Sequence, residues 1–352
     1  VKAYTKKLEE EKQLCPVLAN DNGYQDAERE CLREICPDIS DEIIDKIQKF
    51  ALKQAEVETD RATYQAMEAL VHNLNTMNSR AGAQIPFSSI NYGTDTSPEG
   101  RMVIKNVLLA TEAGLGNGET PIFPIHIFKV KDGLNYNEGD PNYDLFKLAC
   151  RVSAKRLFPN FSFIDAPYNL QYYKPGDYNT EIAYMGCRTR VYENVAGEKG
   201  SLGRGNLSFT TMNMPRLAIE ARIKAESLEE SGKKEAIERK AKEIFIESVH
   251  ALSGLIAEQL YARYQYQRTA LARQFPFMMG NDVWKGGGKL SPNDQVGDVL
   301  RQGTLGIGFI GGHNAMMALY GEGHAHSQKA WDTLFEAVTE INKVADEYKQ
   351  KY

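Results

Sequence analysis

Residues 121–131, Pro-Ile-Phe-Pro-Ile-His-Ile-Phe-Lys-Val-Lys, decide the fold class of this chain. The segment is short and almost continuously apolar, which is typical of a strand buried on both faces. Helices are predicted on either side of it, over 97–116 and, beginning at Asp140-Pro141, over 140–157. Ser97 is a suitable cap for the first helix, and Pro98 fits the first helical position because no N–H is needed there.

The alternation of strands and helices continues outward from this segment. Further strands are predicted at 84–93, 161–165, 206–212 and 303–310. Further helices are predicted from Ser40, as cap, to Arg80-Ala81-Gly82, and over 216–273, 313–320 and 326–350. We expect the charged stretch 225–243 to be a solvated helix face. Strand–helix–strand alternation predicts an α/β fold.

Composition limits the functions that are open to the chain. The 352 residues carry a net charge of −5, and this acidic balance argues against sequence-independent binding to nucleic acid. No apolar run approaches the roughly 20 residues needed to span a bilayer, and the first residues do not resemble a signal peptide. The five cysteines, at 15, 31, 36, 150 and 187, form an odd set without disulfide-framework spacing. We therefore expect reduced thiols in a cytoplasmic protein, without nucleic-acid or membrane partners.

Three patterns that suggest bound groups have simpler interpretations. Residues 306–311, Gly-Ile-Gly-Phe-Ile-Gly, spell a dinucleotide fingerprint, but the helix predicted after them is barely two turns long. We interpret them as a strand whose glycines permit close backbone approach. The pairs His324/His326 and Cys31/Cys36 lack a second pair at zinc spacing, so no metal site is predicted.

Single residues elsewhere have equally simple interpretations. Cys150 falls in the helical pattern of Leu145, Leu148, Ala149 and Val152 and is expected in the core. His126 lies in the predicted strand and is expected to be hydrogen-bonded there.

Cys187 is the residue best suited to chemistry. It lies in Tyr184-Met-Gly-Cys-Arg-Thr-Arg190, between loop-like stretches at 172–178 and 197–205. A cysteine in a long loop between structured segments contributes little to packing and is plausible as a reactive group. From these residues alone, a reactive thiol and an inert one remain equally open.

Several longer strings resemble the anaerobic (class III) ribonucleoside-triphosphate reductases, in collinear order from about residue 40 to the end. They are 78–89 (Asn-Ser-Arg-Ala-Gly-Ala-Gln-Ile-Pro-Phe-Ser-Ser), 114–124 (Gly-Leu-Gly-Asn-Gly-Glu-Thr-Pro-Ile-Phe-Pro), 139–144 (Gly-Asp-Pro-Asn-Tyr-Asp), 154–159 (Ala-Lys-Arg-Leu-Phe-Pro), 185–188 (Met-Gly-Cys-Arg) and 206–216 (Asn-Leu-Ser-Phe-Thr-Thr-Met-Asn-Met-Pro-Arg). The resemblance implies an α/β barrel of about ten strands, of the glycyl-radical-enzyme type, with a central finger loop that carries the radical cysteine. In these terms residues 1–38 are a helical lead-in, and 39–352 are the central part of an incomplete barrel.

The resemblance also implies roles for individual residues. Cys187 matches the cysteine whose thiyl radical abstracts the ribose 3′-hydrogen, and Asn206 matches an active-site asparagine that hydrogen-bonds ribose hydroxyls. Met185 matches the methionine beside the radical cysteine, with simple packing as the alternative. The remaining candidates for substrate binding lie on a strand that resembles one lining the site, or next to the cysteine: Gln84, Pro86, Phe87 and Arg188.

The activity implied by the resemblance is reduction of ribonucleoside triphosphates to 2′-deoxyribonucleoside triphosphates, with formate as reductant. The thiyl radical is generated by a glycyl radical, which a separate radical-SAM activating enzyme installs. Nucleotide effectors and a homodimer, in which long helices such as 40–78 pack across the interface, are further implied partners. Zinc is expected only in a C-terminal region that these residues do not include.

The departures from the family pattern predict a fragment. The radical motif Arg-x-x-Gly-Tyr is absent, since the only Gly-Tyr pair, Gly23-Tyr24, has Asn20 where arginine should stand. The zinc-binding cysteine quartet and a Thr-Pro-containing phosphate segment are also missing, and the nucleotide-binding cone domain with the second active-site cysteine would precede Val1. We therefore expect this chain alone to be inactive.

Two other interpretations remain open. One is a catalytically silent nucleotide-binding or regulatory fragment of a split reductase, which would use the same barrel but depend on another chain for chemistry. The other is a different glycyl radical enzyme, such as a relative of the formate lyases. Those usually place two adjacent cysteines at the finger tip, whereas Cys187 is followed by Arg188.

Overall fold

The computed structural model of this chain describes residues 23–77, 85–186, 189–190, 192–229 and 232–352. These residues form a mixed α/β structure, which confirms the α/β part of the expected fold class. They divide into two compact units. The first contains the described residues up to Tyr168, together with Gly186; the second contains Asn169–Met185 and the described residues from Thr189 to Tyr352.

From Asp41 to Phe163, helices and strands alternate as the sequence pattern predicts, and a further helix lies on either side of this range. In chain order they are α1 (Tyr24–Ile35), α2 (Asp41–Thr76), β1 (Ser89–Tyr92), α3 (Pro98–Ala113), β2 (Ile125–Val130), α4 (Tyr143–Arg156), β3 (Asn160–Phe163) and the short α5 (Pro167–Leu170).

A parallel sheet of the order β1-β2-β3 forms the centre of the first unit. Its middle strand, β2, pairs through Ile127 with Asn91 of β1 and with Asn160 of β3. The side chains from His126 to Phe128 are buried, so the buried strand expected within 121–131 is confirmed. Helices α3 and α4 pack against Phe128 and Val130 through an apolar cluster made of Ile104, Leu108, Leu145, Ala149 and Val152.

The start of α3 is as the sequence indicates. The Ser97 side chain accepts a hydrogen bond from the backbone N–H of Gly100 at 3.0 Å, and Pro98 occupies the first turn. This cap satisfies one of the N–H groups that a helix start leaves without an internal partner.

The start of α4 differs from the expectation, which placed it at Asp140-Pro141. The helix begins at Tyr143, because Oδ2 of Asp140 accepts hydrogen bonds from the backbone N–H groups of Tyr136 and Asn137. Asp140 therefore closes the preceding turn instead of capping the helix.

Helix α2 also departs from its expected ends. Ser40 occupies the cap position, but its side chain makes no capping hydrogen bond. The helix ends at Thr76 and not near Arg80, and Arg80-Ala81-Gly82 lie outside the described residues.

The elements of the second unit begin with a hairpin and end with a helical layer. In chain order they are β4 (Tyr184–Met185), β5 (Thr189–Arg190), β6 (Asn206–Asn213), α6 (Met214–Leu228), α7 (Lys234–Gln267), the short α8 (Pro276–Gly280), β7 (Thr304–Ile310), α9 (Gly312–Tyr320) and α10 (Gln328–Lys351). Strands β6 and β7 are parallel neighbours. Helices α6, α7, α9 and α10 form one core with them, which includes Met212, Phe245, Met316 and Leu319.

The helical region expected over 216–273 is two helices, α6 and α7, and ends at Gln267. Gly232, between them, adopts a left-handed φ of 61°, which a continuous helix does not allow. The charged stretch 225–243 is largely exposed, as expected, although Ala225, Glu238 and Ala241 are buried.

The β6–β7 pair has one covered face and one open face. Thr210 and Ile307 pair in register and share the covered face, where Ile307 packs against the helical core. Phe209 pairs with Gly306, and its ring is 71% exposed on the open face. A Cβ added to Gly306 would lie 3.3 Å from Cβ of Phe209, which confirms that this glycine-rich strand permits close approach.

Two further observations complete the fold. In the described part of the chain, the strands form one three-stranded and two two-stranded sheets. None of the described helices combines the length and apolarity that a membrane span requires.

The expectation that Cys150 is a core residue is wrong. It is exposed, because the buried face of α4 follows Leu145, Ala149 and Val152, and Cys150 points away from that face.

Candidate functional site

The segment around Cys187 is framed by a short antiparallel hairpin. Strands β4 and β5 pair Tyr184 with Arg190 and Met185 with Thr189. Met185 is half-buried, while Thr189 and Arg190 are exposed. Cys187 and Arg188 belong to the chain between these strands, and both lie outside the described residues.

Gly186, the residue before Cys187, contacts strand β1. Its backbone N–H donates a hydrogen bond to Oγ of Ser89 at 3.1 Å. Gly186 has a φ of 64°, a left-handed conformation that glycine adopts without strain and most other residues avoid. The glycine therefore allows the turn, and the turn points its N–H toward the strand.

The loop below the hairpin is tied together by aromatic and polar contacts. The rings of Tyr172 and Tyr192 lie 4.4 Å apart, and Nε2 of Gln171 donates to the Tyr192 hydroxyl at 2.7 Å. Nη1 of Arg190, at the end of β5, donates to Oδ1 of Asn169 at 3.1 Å. The hairpin is thus connected to a loop that has its own internal hydrogen bonds and ring contacts.

Arg204 joins this loop to the start of β7. Its guanidinium donates to the backbone carbonyl oxygens of Gly200 and Gln302, each at 2.9 Å, and to that of Glu193 at 2.5 Å. Burial lowers the pKa of Arg204, but an arginine stays charged at any physiological pH. Charge-assisted bonds to three carbonyl groups hold the loop 192–205 against the strand pair.

Asn206 begins strand β6 on the open face. Its Oδ1 accepts a hydrogen bond from the Thr304 hydroxyl, across the register pair of the two strands. The side chain is exposed, and its Nδ2 donates to no other described residue. The amide therefore has a fixed orientation and a donor that remains available to a ligand.

The candidates that precede β1 lie at its entrance and not within it. The strand expected at 84–93 begins at Ser89, so Pro86 and Phe87 belong to the irregular segment before it, and Gln84 lies outside the described residues. Phe87 is 78% exposed, and its ring meets that of buried Phe123 edge-on, with centroids 4.8 Å apart.

His126 is hydrogen-bonded in its strand, as expected, and takes part in a buried chain of hydroxyl groups. The Thr111 hydroxyl donates to the Val107 carbonyl at 2.7 Å and so accepts from Nε2–H of His126 at 3.2 Å. Nδ1 of His126 then accepts from the Tyr92 hydroxyl at 3.0 Å. Burial lowers the pKa of His126 to about 4 and raises the pKa of Tyr92. The histidine is therefore neutral at physiological pH.

Metal ligands do not cluster in the described residues. Among them, no group of three or more His, Cys, Asp or Glu side chains is placed to hold an ion. The rings of His324 and His313 make an edge-on contact, with centroids 5.6 Å apart, and His326 is exposed. Cys36 is exposed, while Cys31 is half-buried.

The sequence-predicted residues thus fall into both units. In the first unit, Phe87 precedes the strand whose Ser89 binds Gly186. Met185 and Asn206 belong to the second unit, at the hairpin and at the start of the parallel strand pair.

Sequence reasoning missed Ser89 and Arg204. Ser89 is the last residue of a motif that resembles the reductases, and strand alternation places it on the face opposite Tyr92, which was a usable signal. Arg204 lies between two glycines in a loop, and no local pattern indicates that it binds distant carbonyl groups.

Comparison with known proteins covers nearly the whole chain. A family model described as "Anaerobic ribonucleoside-triphosphate reductase" matches residues 20–352. The anaerobic ribonucleoside-triphosphate reductases of Escherichia coli and Salmonella typhimurium are each 30% identical over 83% of this chain and 38% of their own length. That of Enterobacteria phage T4 is 31% identical over 75% of this chain and 41% of its length. The chain therefore spans about 38–41% of the length of these relatives.

One solved structure is also similar. It is the anaerobic ribonucleotide reductase from Thermotoga maritima with citrate in the active site, 14% identical over 88% of this chain and 52% of that chain, with a TM-score of 0.48.

Proposed function

This chain belongs to the anaerobic ribonucleoside-triphosphate reductase family, and we propose that it supplies the hydrogen-abstracting part of such an enzyme, with Cys187 as the reacting residue. The observation that carries the proposal is the place of Cys187 in the matched Met-Gly-Cys-Arg string, between the two strands of a hairpin whose Gly186 is held by β1. The substrate in this proposal is a ribonucleoside triphosphate and the product is its 2′-deoxy form.

The chemistry explains why one cysteine is needed. A thiyl radical on Cys187 takes the hydrogen from C3′ of the ribose, so an S–H bond forms as the C3′–H bond breaks and the unpaired electron moves to C3′. The weakened 2′ C–O bond then breaks, and the hydroxyl leaves as water after gaining a proton. Formate, as the overall reductant, supplies two electrons and the hydrogen that C2′ gains, and it is oxidised to carbon dioxide. The Cys187 S–H then returns its hydrogen to C3′, which completes the deoxyribose and regenerates the thiyl radical.

The chain's own residues then bind and orient the sugar. The exposed amide of Asn206 is fixed by Thr304 and donates from Nδ2 to a ribose hydroxyl. In this proposal Met185 is the methionine beside the radical cysteine, and Phe87, Pro86, Gln84 and Arg188 are assigned to substrate binding. Exclusion of water protects a radical from stray hydrogen donors, and the proposed barrel of about ten strands would provide that exclusion.

The source of the radical is proposed to lie on another segment. In this proposal a glycyl radical on that segment would take the hydrogen of the Cys187 thiol, so that a glycine C–H bond forms as the S–H bond breaks. A radical-SAM activating enzyme would install the glycyl radical. These 352 residues contain no Arg-x-x-Gly-Tyr motif to carry it, and zinc is likewise assigned to a region outside them. On this proposal residues 1–38 are a lead-in and 39–352 are the barrel core of a cytoplasmic homodimer regulated by nucleotide effectors.

The decisive test replaces Cys187 in a reductase that contains this chain together with its radical glycine. Cys187→Ala and Cys187→Ser should abolish deoxynucleotide formation while the circular dichroism spectrum and the glycyl radical signal in electron paramagnetic resonance stay unchanged. Retention of even about a tenth of the activity would contradict the assignment, because loss of a nucleophile or radical residue typically removes far more. Cys36→Ser and Cys150→Ser serve as matched controls, since both are exposed and lie outside the hairpin.

A second candidate function rests on the missing radical motif. The chain would then bind nucleotides without converting them, as a regulatory part of a split reductase. Equilibrium binding of nucleoside triphosphates to the 352-residue chain, measured beside their conversion with activating enzyme and formate present, separates the two. Conversion by this chain without any added glycine-bearing segment would contradict the proposal that its radical comes from elsewhere.

A further inference from the structure

We propose that Ser89 is a positioning residue for the loop that carries Cys187, and that it acts by accepting the backbone N–H of Gly186. The inference rests on the proposed function, since it assigns a purpose to holding that loop. Ser89 does not contact the reacting atoms in this proposal. It restricts the position of the residue next to the one that does.

The contact joins residues that are far apart in the chain. Gly186 and Ser89 are separated by 97 positions, and the bond between N–H and Oγ is 3.1 Å long. Strand alternation places Ser89 on the face opposite Tyr92, whose hydroxyl lies in the buried network with His126. The Ser89 hydroxyl therefore lies on the other face of the strand from this network, where it accepts the hydrogen bond from Gly186.

Strand β1 is a firm support for such a contact. Its residues pair in register with β2, from Ser89 with Ile125 to Tyr92 with Phe128. The backbone N–H of Ile125 also donates to the carbonyl of Ser88 at 2.9 Å, just before the strand begins.

The segment before β2 is itself held by helix α2. Oδ1 of Asn75 accepts the backbone N–H groups of Ile122 and Phe123, at 2.8 and 3.0 Å, and its Nδ2 donates to the Phe123 carbonyl at 2.6 Å. Phe123 in turn contacts Phe87 at the entrance to β1. These bonds hold the segment that leads into β2, and the pairing of β1 with β2 then restricts the backbone at Ser89.

A fixed loop matters for hydrogen abstraction. Displacement of a reacting group by about 1 Å can lower a rate by about a hundredfold, because the near-attack geometry is lost. One hydrogen bond at the residue before the cysteine restrains the turn that glycine makes possible.

The neighbouring serine provides a matched control. Oγ of Ser88 is buried and, in the part of the chain that the structure describes, has no hydrogen-bond partner. Ser88→Ala thus removes the same atom one residue away without removing a contact to the loop.

The first experiment measures the alkylation rate of each cysteine by iodoacetamide, resolved by mass spectrometry, in the purified 352-residue chain. The informative pair is Ser89→Val against Ser89→Thr, because the two side chains have the same shape and differ in the hydroxyl. We expect Ser89→Val to speed alkylation of Cys187 about fivefold, equivalent to about 1 kcal/mol for one hydrogen bond. Ser89→Thr and Ser88→Ala should resemble the unchanged chain, and the rates at Cys36 and Cys150 should stay constant.

Equal alkylation rates at Cys187 in the valine and threonine variants would overturn the proposal. So would a valine variant in which Cys36 and Cys150 accelerate as much as Cys187, because that result indicates general loosening. The comparison needs no reductase activity.

The second experiment uses the reductase that contains this chain with its radical glycine. Ser89→Val should lower kcat about tenfold with KM unchanged, because Ser89 positions the cysteine and does not bind the nucleotide. A raised KM with unchanged kcat would overturn the positioning role. If Cys187→Ala kept its activity while the alkylation difference persisted, the proposed function would fail and the structural role of Ser89 would stand.

Discussion

Acidification should destabilise the first unit through His126. The ring is 1% exposed, lies between the Tyr92 and Thr111 hydroxyl groups, and has a pKa lowered by burial from 6.5 to about 4. The folded state therefore binds this proton less readily than the unfolded state does. Stability is fully present above pH 6.5 and is lost as the pH falls toward 4, with no further loss below that value.

The magnitude follows from the two pKa values. Each unit of difference between the folded and unfolded pKa values corresponds to about 1.36 kcal/mol, so acidification from pH 6.5 to below pH 4 removes about 3 kcal/mol of unfolding free energy. By about pH 5 roughly 2 kcal/mol of this has already been lost. In the first unit, hydrogen bonds from backbone N–H groups lower the pKa of Glu119, so this carboxylate loses its contribution only as the pH falls below its ordinary value of 4.5.

The assay must report on the first unit alone. Both tryptophans, Trp284 and Trp331, lie in the second unit, so their fluorescence in urea serves as an internal reference. Hydrogen exchange of the peptide that contains β2, measured at several urea concentrations, reports the unit of interest. The comparison is between the unchanged chain and His126→Gln, at about pH 8 and about pH 5, where the histidine's share of the loss is about 2 kcal/mol.

The variant removes the titrating group and should remove the extra loss. We expect the unchanged chain to lose about 2 kcal/mol more than His126→Gln on acidification. His326→Gln, at an exposed histidine, should lose as much as the unchanged chain does. An equal pH dependence in the unchanged chain and in His126→Gln would refute the reasoning.

Three further predictions concern stability and local order. Ser97→Ala should lower the unfolding free energy of the first unit by about 1 kcal/mol in urea titrations, because it removes the cap of α3. Phe245→Ala should lower the unfolding free energy of the second unit, followed by tryptophan fluorescence, by about 3–5 kcal/mol, whereas Phe209→Ala, at an exposed side chain, should change it by less than about 0.5 kcal/mol. Similar losses in the two variants would contradict the assignment of the covered and open faces. Arg204→Met should speed hydrogen exchange of 192–200 at least about tenfold, because three carbonyl groups lose their donor, and an unchanged exchange rate would show that the loop is held by other contacts.

Much of the fold was accessible from local chemistry. The buried strand within 121–131 and the cap at Ser97 depend on residues that are neighbours in the chain, and both are confirmed. The predicted start of α4 was wrong because an aspartate such as Asp140 can either cap a helix or close a turn. Here it closes a turn, since it accepts hydrogen bonds from the backbone N–H groups of Tyr136 and Asn137. The prediction that Cys150 is buried was wrong because a helical pattern with several apolar positions does not by itself determine which of them face the core.

The site was accessible to a smaller degree. The collinear strings locate Cys187 and Asn206 in the chain, but they do not state which groups hold them. The contact of Gly186 with Ser89 spans 97 positions, and that of Asn206 with Thr304 spans 98. Such contacts form only when the strands and their connections have been arranged in the fold, so sequence periodicity and local propensity do not predict them.

The long separation between β6 and β7 has a consequence during synthesis. Strand β6 leaves the ribosome about 98 residues before its parallel neighbour, with α6 and α7 made in the interval. At a synthesis rate of about 5–20 residues per second, β7 is completed roughly 5–20 s after β6, and until then β6 has no parallel neighbour to pair with. Phe209 and Thr211 are exposed even in the folded structure, and until β7 exists they lie beside an unpaired row of backbone groups. An unpaired strand edge can pair with other chains, so during this interval aggregation competes with the pairing of β6 and β7.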